Sequence, residues 1–179
     1  MYPVYPIYSV GGITLSEVPG KTALIVEFAN CKQRCPGCHS QHLWDPGESL
    51  DISEILTYID SSLSEDINCI LLMGGTTNGI VLETLKKLVE SIYRRFNIPI
   101  AIYSGLPEEE TKMDEMAAWF GLDYLKTGDY REELGGIECP RSNQKFYKKD
   151  FKYTLKDNVL KVEFFWEDIT YKFRGNDCA

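Results

Sequence analysis

The stretch TALIVEFANCKQRCPGCH, residues 22–39, joins an apolar run to three closely spaced cysteines. Residues 22–28 are almost continuously apolar and have the length of a strand, which is typical of a strand covered on both faces. Cys31, Cys35 and Cys38 follow at once, so three thiols can converge on one metal centre where this strand ends. Soft thiolate ligands favour zinc or an iron-sulfur cluster over magnesium or calcium.

Apolar runs and helical stripes alternate over the next hundred residues. Strands are predicted at 68–73, 98–103 and 123–126, and helices at 52–59, 80–96 and 107–120. Ser49 or Asp51 is available as the N-cap of the first helix, and Pro107 suits the first position of the third. This order predicts βαβ units with parallel strands and right-handed crossovers.

Polar loops follow three of these strands. The cysteines follow the first strand, Gly74-Gly75-Thr76-Thr77-Asn78 the second, and Tyr103-Ser104-Gly105 the third. In folds of this kind the chemistry gathers at the carboxyl ends of the strands. The three loops are therefore expected to face one mouth.

The last third of the chain has a different character. Residues 128–150 are polar and rich in turn residues, and 151–155, 159–166 and 169–173 read as short aromatic and β-branched strands. Asp157-Asn158 is a plausible hairpin turn between the first two. These strands are expected to cover the open edge of the sheet.

Composition limits the class of protein. With 179 residues, 44% of them apolar and 26% charged, the chain is expected to form one globular domain. A net charge of −8 argues against a nucleic-acid partner. No apolar run approaches the roughly 20 residues that cross a bilayer, and the N-terminus does not resemble a secretion signal. We therefore expect a cytoplasmic protein without nucleic-acid or membrane partners.

The cysteine loop allows three interpretations. A structural zinc site would use His39 or His42 as the fourth ligand, although such sites usually join two distant segments. An electron carrier would use a fourth cysteine, and none lies within the loop. An iron-sulfur cluster with one open iron needs only the three, and the spacing favours it modestly. Cys69 is predicted to be a buried apolar residue, and Cys139 and Cys178 have no predicted role.

The spacing Cys-x-x-x-Cys-x-x-Cys of Cys31, Cys35 and Cys38 closely resembles the signature of radical S-adenosylmethionine (SAM) enzymes. Further motifs, in their order and spacing, are similar to one family of these enzymes, the activating protein of anaerobic ribonucleoside-triphosphate reductase. They are Pro19-Gly20-Lys21-Thr22, Cys35-Pro36-Gly37-Cys38-His39, Trp44, Gly74-Gly75, Tyr103-Ser104-Gly105, and the segment from Gly128-Asp129-Tyr130 through Glu132-Glu133-Leu134 to Ser142-Asn143-Gln144. The resemblance covers roughly residues 10–148.

The resemblance implies an α/β fold, a partial (incomplete) βα barrel of the radical SAM type with parallel strands and a short β-rich C-terminal extension. The activase domain would comprise residues 1–148, and residues 149–179 would form a β-hairpin extension packed on it. Cys31, Cys35 and Cys38 would each bind one iron of a [4Fe-4S] cluster, and SAM would chelate the fourth iron. One electron then cleaves SAM to a 5'-deoxyadenosyl radical, which generates a glycyl radical on the large reductase subunit.

The resemblance also implies contacts to SAM. Gly37 would let the adenine approach the loop backbone, His39 would contact the adenine, Gly74 and Gly75 would face the methionine moiety, and Tyr103 and Ser104 would receive the ribose or the carboxylate. Thr76 stands where the family commonly has an acidic residue, so it would offer SAM a hydroxyl instead of a charge. Each residue also has a structural interpretation, because glycines form tight turns and Tyr103-Ser104 ends a strand.

The implied enzyme is a radical SAM oxidoreductase with a reduced electron donor such as flavodoxin. A closely related alternative keeps the chemistry and changes the target to another glycyl-radical enzyme or a small molecule. An alternative of a different class is a non-catalytic zinc or electron-transfer module.

Overall fold

Parallel strands form the centre of a single eight-stranded sheet. The computed structural model describes residues 3–156 and 159–174. The strands are β1 (Val4–Thr14), β2 (Ala23–Phe28), β3 (Glu48–Asp51), β4 (Cys69–Met73), β5 (Ile100–Tyr103), β6 (Leu122–Thr127), β7 (Lys145–Lys156) and β8 (Val159–Asp168). The helices are α1 (Ile52–Ser62), α2 (Leu82–Phe96) and α3 (Met113–Ala117).

The strand order β3-β1-β2-β4-β5-β6-β7-β8 corrects the predicted fold. The parallel arrangement predicted for β2, β4, β5 and β6 is confirmed. The predicted partial βα barrel of radical SAM type is wrong, because the described residues form a strand-rich mixed sheet with only three α-helices. The edges of β2 and β6, where further parallel strands would have to pair, are occupied by the antiparallel strands β1 and β7.

All three helices pack against one face of the sheet. Their buried residues share an apolar core with alternate residues of the parallel strands, among them Ile55, Ile59, Leu85, Leu88, Ile92 and Met116 from the helices and Leu24, Val26, Ile70 and Ile102 from the strands. The predicted helical stripes of α1 and α2 are thereby confirmed. This core fixes the orientation of every strand whose carboxyl end borders the mouth.

The opposite face carries a smaller apolar core without a helix. Strand residues such as Ala23, Leu71 and Ala101 are covered there by Val18 and Ile137 from irregular segments and by further residues of β7 and the C-terminal segment. In a barrel this face would be filled by side chains of the other strands. Here irregular segments cover it, which is the second reason that the barrel prediction fails.

The starts of α1 and α3 show which of the predicted helix-start residues the structure uses. Asp51 is the N-cap of α1, since its side chain accepts a hydrogen bond from the Glu54 N–H at 3.0 Å. The predicted start of the third helix at Pro107 is wrong, and α3 begins at Met113. Residues 108–110 form a turn that the Thr111 N–H closes by donating to Pro107 O at 3.0 Å, and the backbone then leaves the helical conformation at Lys112, with φ −73° and ψ 60°. Within the described residues, no helix is long and apolar enough to cross a bilayer.

The C-terminal strands extend the sheet. β7 pairs antiparallel with β6 and covers its edge as expected, and β8 pairs along the whole of β7.

The strand predicted at 169–173 is wrong, because Thr170–Lys172 is a 3-10 turn whose Thr170 N–H donates to the Asp168 carboxylate at 2.9 Å. The predicted turn Asp157-Asn158 lies outside the described residues, and the division of the chain at residue 148 stays a prediction.

We expect the Tyr5 hydroxyl to stabilise the docking of β1 on α2. Tyr5 is completely buried, its hydroxyl donates to the Thr84 carbonyl at 2.9 Å, and burial raises its pKa to about 12. Tyr5→Phe should lower the free energy of unfolding by about 0.5–1.5 kcal/mol in urea titrations. Tyr8→Phe is the matched control on the same strand, with a side chain that is 46% exposed, and should change this free energy by less than about 0.5 kcal/mol. Equal effects of the two changes would contradict the role given to Tyr5.

Candidate metal centre

Four loops meet at one edge of the sheet, because the parallel strands β2, β4, β5 and β6 all end there. Backbone hydrogen bonds join neighbouring loops: Lys32 N–H to Thr77 O at 2.9 Å, Gly74 N–H to Tyr103 O at 3.1 Å, Ser104 N–H to Lys126 O at 2.8 Å, and Gly128 N–H to Leu106 O at 2.8 Å. The expectation that the loops face one mouth is confirmed.

The cysteine loop, residues 29–39, is held by backbone contacts where it leaves β2. The Asn30 N–H donates to Asp45 O at 2.6 Å, and the Cys31 N–H donates to Leu43 O at 2.9 Å. Asn30 has a φ of 61°, a left-handed conformation that asparagine adopts more readily than most residues. The loop thus turns sharply at the end of the strand and places Cys31 at the mouth.

The carboxamide of Asn78 joins this loop to the next one. Asn78 is 2% exposed, and its Oδ1 accepts a hydrogen bond from the Gly75 N–H at 2.7 Å. Its Nδ2 donates to Phe28 O at 3.1 Å and to Ala29 O at 2.6 Å. One buried side chain therefore satisfies backbone groups at the ends of both β2 and β4.

The thiols of Cys31, Cys35 and Cys38 are half-buried and form no disulfide. Burial raises the pKa of Cys35, and the nearby charges of Cys38, Asp129 and Cys31 raise it further, against a hydrogen bond from the Tyr130 backbone that lowers it. Three half-buried thiols on one loop that is anchored at the end of β2 are the donor set of an iron-sulfur cluster, so the residues present fit this group.

A single-ion site fits less well. Among residues 3–156 and 159–174, no three His, Cys, Asp or Glu side chains are arranged as ligands of one metal ion. His42, one proposed zinc ligand, has its Nε2 3.2 Å from Glu27 Oε1, and the His39 ring packs edge-on against Tyr130 with centroids 5.4 Å apart. The ligands of a four-iron cluster each bind a different iron, so they need not converge on one point.

Comparison with known families matches residues 18–144 to the family described as "4Fe-4S single cluster domain". The chain belongs to this family. The matched range covers well over half of the chain and contains all four loops of the mouth, so this is an iron-sulfur protein with a domain for one [4Fe-4S] cluster. No curated protein and no solved structure matches the chain.

In this 4Fe-4S domain, packing within the protein accounts for Gly74 and Gly75. Their φ angles are 108° and 98°, in the region that favours glycine. A Cβ on Gly74 would lie 2.9 Å from Asn78 Oδ1, and one on Gly75 would lie 2.8 Å from Leu85 Cδ1. The contact of these glycines with SAM stays a prediction.

Three hydroxyls form a chain beside the mouth. Thr76 Oγ1 lies 3.1 Å from Ser104 Oγ, which lies 3.2 Å from Thr111 Oγ1 and accepts a hydrogen bond from the Leu106 N–H at 3.2 Å. Ser104 is only 3% exposed. The structure therefore brings Thr76 and Ser104 together, and Ser104 would have to exchange a protein partner to bind a ligand.

The Tyr103 side chain lies on the other side of the sheet from the Ser104 side chain. Its hydroxyl donates to the backbone carbonyl and, at 2.7 Å, to the carboxylate Oε2 of Glu17, on the face of the sheet without helices. Burial and the Glu17 charge raise its pKa well above the usual value. Ribose or carboxylate binding by Tyr103 and Ser104 stays a prediction, and the present geometry favours a structural role for the Tyr103 hydroxyl.

A cleft of about 480 Å³ opens next to Cys35. It is lined by Gln33, Cys35, Pro36, Asp129, Tyr130, Arg131, Glu132 and Glu133, and among these Arg131 Nε lies 3.1 Å from the carboxylate Oδ2 of Asp129. Gly37 has a φ of 70°, and a Cβ there would lie 2.9 Å from Glu132 Cδ. Gly37 and His39 thus adjoin the segment after β6 that forms the far wall of the cleft.

Sequence reasoning missed Lys126. Its ammonium lies 4.6 Å from the centre of the Tyr103 ring, and its pKa is lowered by burial while Glu17, Glu138 and Cys38 oppose this shift. A cation is thereby placed against the Tyr103 ring on the neighbouring strand. The available signal was a lysine at the carboxyl end of an otherwise mostly apolar strand.

The Ser142-Asn143-Gln144 motif, for which the sequence offered no chemistry, holds the segment after β6. Asn143 Nδ2 donates to the backbone and carboxylate oxygens of Asp129, both at 3.0 Å, and Gln144 Nε2 donates to Gly128 O at 3.3 Å. The motif therefore positions Asp129 at the cleft.

We expect Cys31→Ala, Cys35→Ala and Cys38→Ala each to abolish cluster binding, because each removes one iron ligand. Iron content after anaerobic reconstitution should fall from about four per chain to near zero, with loss of the brown absorbance. Cys69→Ala and Cys139→Ala should retain the cluster. Cys69 begins β4, at the end of the strand remote from the mouth, and is completely buried. Loss of iron from the Cys139 variant would contradict a three-cysteine site.

We expect Asn78→Ala to destabilise the mouth, because it leaves backbone groups at the ends of β2 and β4 without a partner. The free energy of unfolding of the cluster-free protein should fall by about 2–4 kcal/mol in urea titrations. Asn68→Ala is the control: its exposed carboxamide accepts one hydrogen bond, from the Thr22 N–H at 3.1 Å, at the other edge of the sheet. A loss as small as that of the control would show that Asn78 does not hold the loops together.

Proposed function

We propose that this 4Fe-4S domain is a radical SAM oxidoreductase, the activating protein of an anaerobic ribonucleoside-triphosphate reductase. The observation that carries this proposal is the set Cys31, Cys35 and Cys38 on one half-buried loop beside a cleft. When bound, the cluster would supply an iron site for SAM and the electron that cleaves it to methionine and a 5'-deoxyadenosyl radical.

The charge of the cleft supports a cationic ligand. SAM carries a sulfonium and an ammonium group. Arg131 pairs with Asp129 at 3.1 Å, so the lining of the cleft keeps Glu132 and Glu133 as excess negative charge. These carboxylates would supply the negative charge that Thr76 lacks. Because electrostatic attraction is stronger where water is excluded, the partly enclosed wall beside Cys35 is a favourable place for it.

Residues of the chain itself would make the remaining contacts to SAM. Gly37 and His39 would receive the adenine at the wall formed by Tyr130 and Glu132. The linked hydroxyls of Thr76 and Ser104 would receive polar groups of SAM. Asn78 would act only as a positioning residue, since its carboxamide is already occupied by backbone partners.

The proposed substrate is a backbone glycine of the large reductase subunit, and the proposed electron donor is a reduced protein such as flavodoxin. Pro36, Gly37 and His39 are exposed on the cysteine loop, so a large partner can reach the cluster side of the mouth. The order of motifs from residue 19 to residue 144, similar to the activase family, supports this target over a small molecule.

A second candidate is a non-catalytic electron carrier, in which Cys139 would be the fourth cluster ligand. Cys139 is 6% exposed and lies in the segment between β6 and β7, where its side chain packs against Gly135. The same segment supplies the far wall of the cleft. A fourth cysteine ligand from this segment would leave no iron open for SAM.

The test is SAM cleavage by the reconstituted protein under argon. With dithionite as reductant, we expect 5'-deoxyadenosine and methionine in equal amounts, and no product from Cys35→Ala. Mixing the protein, SAM and reductant with a candidate reductase should then give the doublet of a glycyl radical in electron paramagnetic resonance.

The outcomes separate the two candidates. A cluster that is reduced reversibly, releases no 5'-deoxyadenosine and is lost in Cys139→Ala would establish the electron carrier and overturn the activase. SAM cleavage without a glycyl radical would keep the radical chemistry and overturn only the reductase as target.

A further inference from the structure

The hairpin of β7 and β8 has one continuous apolar face. Cross-strand partners and alternate residues share a face of a sheet. Three such pairs follow one another along the hairpin: Phe151 with Phe164, Tyr153 with Val162, and Leu155 with Leu160. Their side chains are between 41% and 69% exposed. We call these six residues the hairpin face.

The other side of the same hairpin is charged. Lys152 Nζ lies 2.9 Å and Lys161 Nζ 2.6 Å from the carboxylate of Glu163. Phe165 lies among these residues, opposite Asp150, and is 43% exposed. The hairpin is therefore amphipathic, and its polar side is the side suited to water.

The hairpin face continues the side of the sheet that the helices cover. Trp166 is two residues after Phe164 and lies on the same face of β8. Its indole nitrogen donates to Met113 O of α3 at 2.8 Å. Lys149, opposite Trp166, donates to Trp119 O at 2.8 Å and lies 5.5 Å from the Phe164 ring centre. The helix layer ends at this point, and the described chain provides nothing that covers the hairpin face beyond it.

We propose that the hairpin face of one copy packs against the same face of a second copy. Six large side chains that are roughly half exposed amount to on the order of 600 Å² per copy, taking about 150–250 Å² for each aromatic and somewhat less for each aliphatic side chain. A stable interface buries about 800 Å² per partner, and the rim around Trp166 adds to the total. The area is thus close to what a dimer needs and lies at the upper end of the range for the largest apolar patch on a typical monomer.

Charge also favours a second copy. None of the six residues of the hairpin face is charged, so covering it with its own equivalent buries no unpaired charge. A two-fold axis through such a face makes the contact self-complementary. Two sheets packed in this way would stand about 10 Å apart, as in a β-sandwich.

Multi-angle light scattering after size exclusion tests the proposal on the full chain with its cluster, under argon and reductant so that no disulfide links two copies. The wild type at about 50 μM should have twice the chain mass of 20.5 kDa. Phe164→Glu should raise the dissociation constant by about 30-fold or more, as expected for a central aromatic residue. Phe165→Glu, the neighbour on the charged side, should leave the dimer intact.

Leu155→Glu is a second variant in case Phe164→Glu does not fold, because Leu155 is 69% exposed and contributes little to the packing of the monomer. Circular dichroism and iron content verify the fold of each variant. A wild type that is monomeric at 50 μM overturns the proposal, including when it binds lipid vesicles or a reductase instead. Equal dissociation by Phe164→Glu and Phe165→Glu overturns it as well. The test does not involve SAM, so its result is independent of the proposed activity.

Discussion

The hydrogen bonds of one buried carboxamide hold the mouth of the sheet together. Asn78 ties the backbone that leaves β2 to the turn that follows β4, and it does so where two parallel strands end side by side. Parallel strands bring their carboxyl ends to one edge, but the loops beyond those ends still need fixed directions. The turn at Gly74 and Gly75 and the course of the cysteine loop both depend on this side chain.

The periodicity of apolar residues was enough to predict the parallel strands at the centre of the sheet and the buried faces of the helices. Each of these is a local pattern with a large apolar content. This periodicity was not enough for the edges of the sheet. β1 contains Pro6 and Gly11, which read as strand breakers, and β3 has only four residues. What pairs with β2 is decided by contacts distant in sequence, and a resemblance to a barrel family filled this gap wrongly. The helix-start signal at Pro107 likewise gives only one turn, because the backbone leaves the helical conformation at Lys112.

The candidate site was also only partly predictable from the sequence. The loops that meet could be predicted, since strand order decides them, and the spacing of Cys31, Cys35 and Cys38 pointed to the iron-sulfur class that the family comparison shows. The direction of single side chains could not be predicted. Tyr103 and Ser104 are neighbours in sequence yet lie on opposite sides of their strand, one bonded to Glu17 and the other to Thr76. The contact of Lys126 with the Tyr103 ring became visible only when β6 was placed next to β5.

The anchoring of the cysteine loop has a consequence for how the sequence can vary. The Asn30 N–H donates to the backbone carbonyl of Asp45, and every residue type carries a backbone carbonyl. The exposed Asp45 side chain can therefore be exchanged without loss of this hydrogen bond. Asn78 differs, because its contacts are made by the side chain itself and need both an amide donor and a carbonyl acceptor. Substitutions are thus expected to be tolerated at residue 45 and not at residue 78.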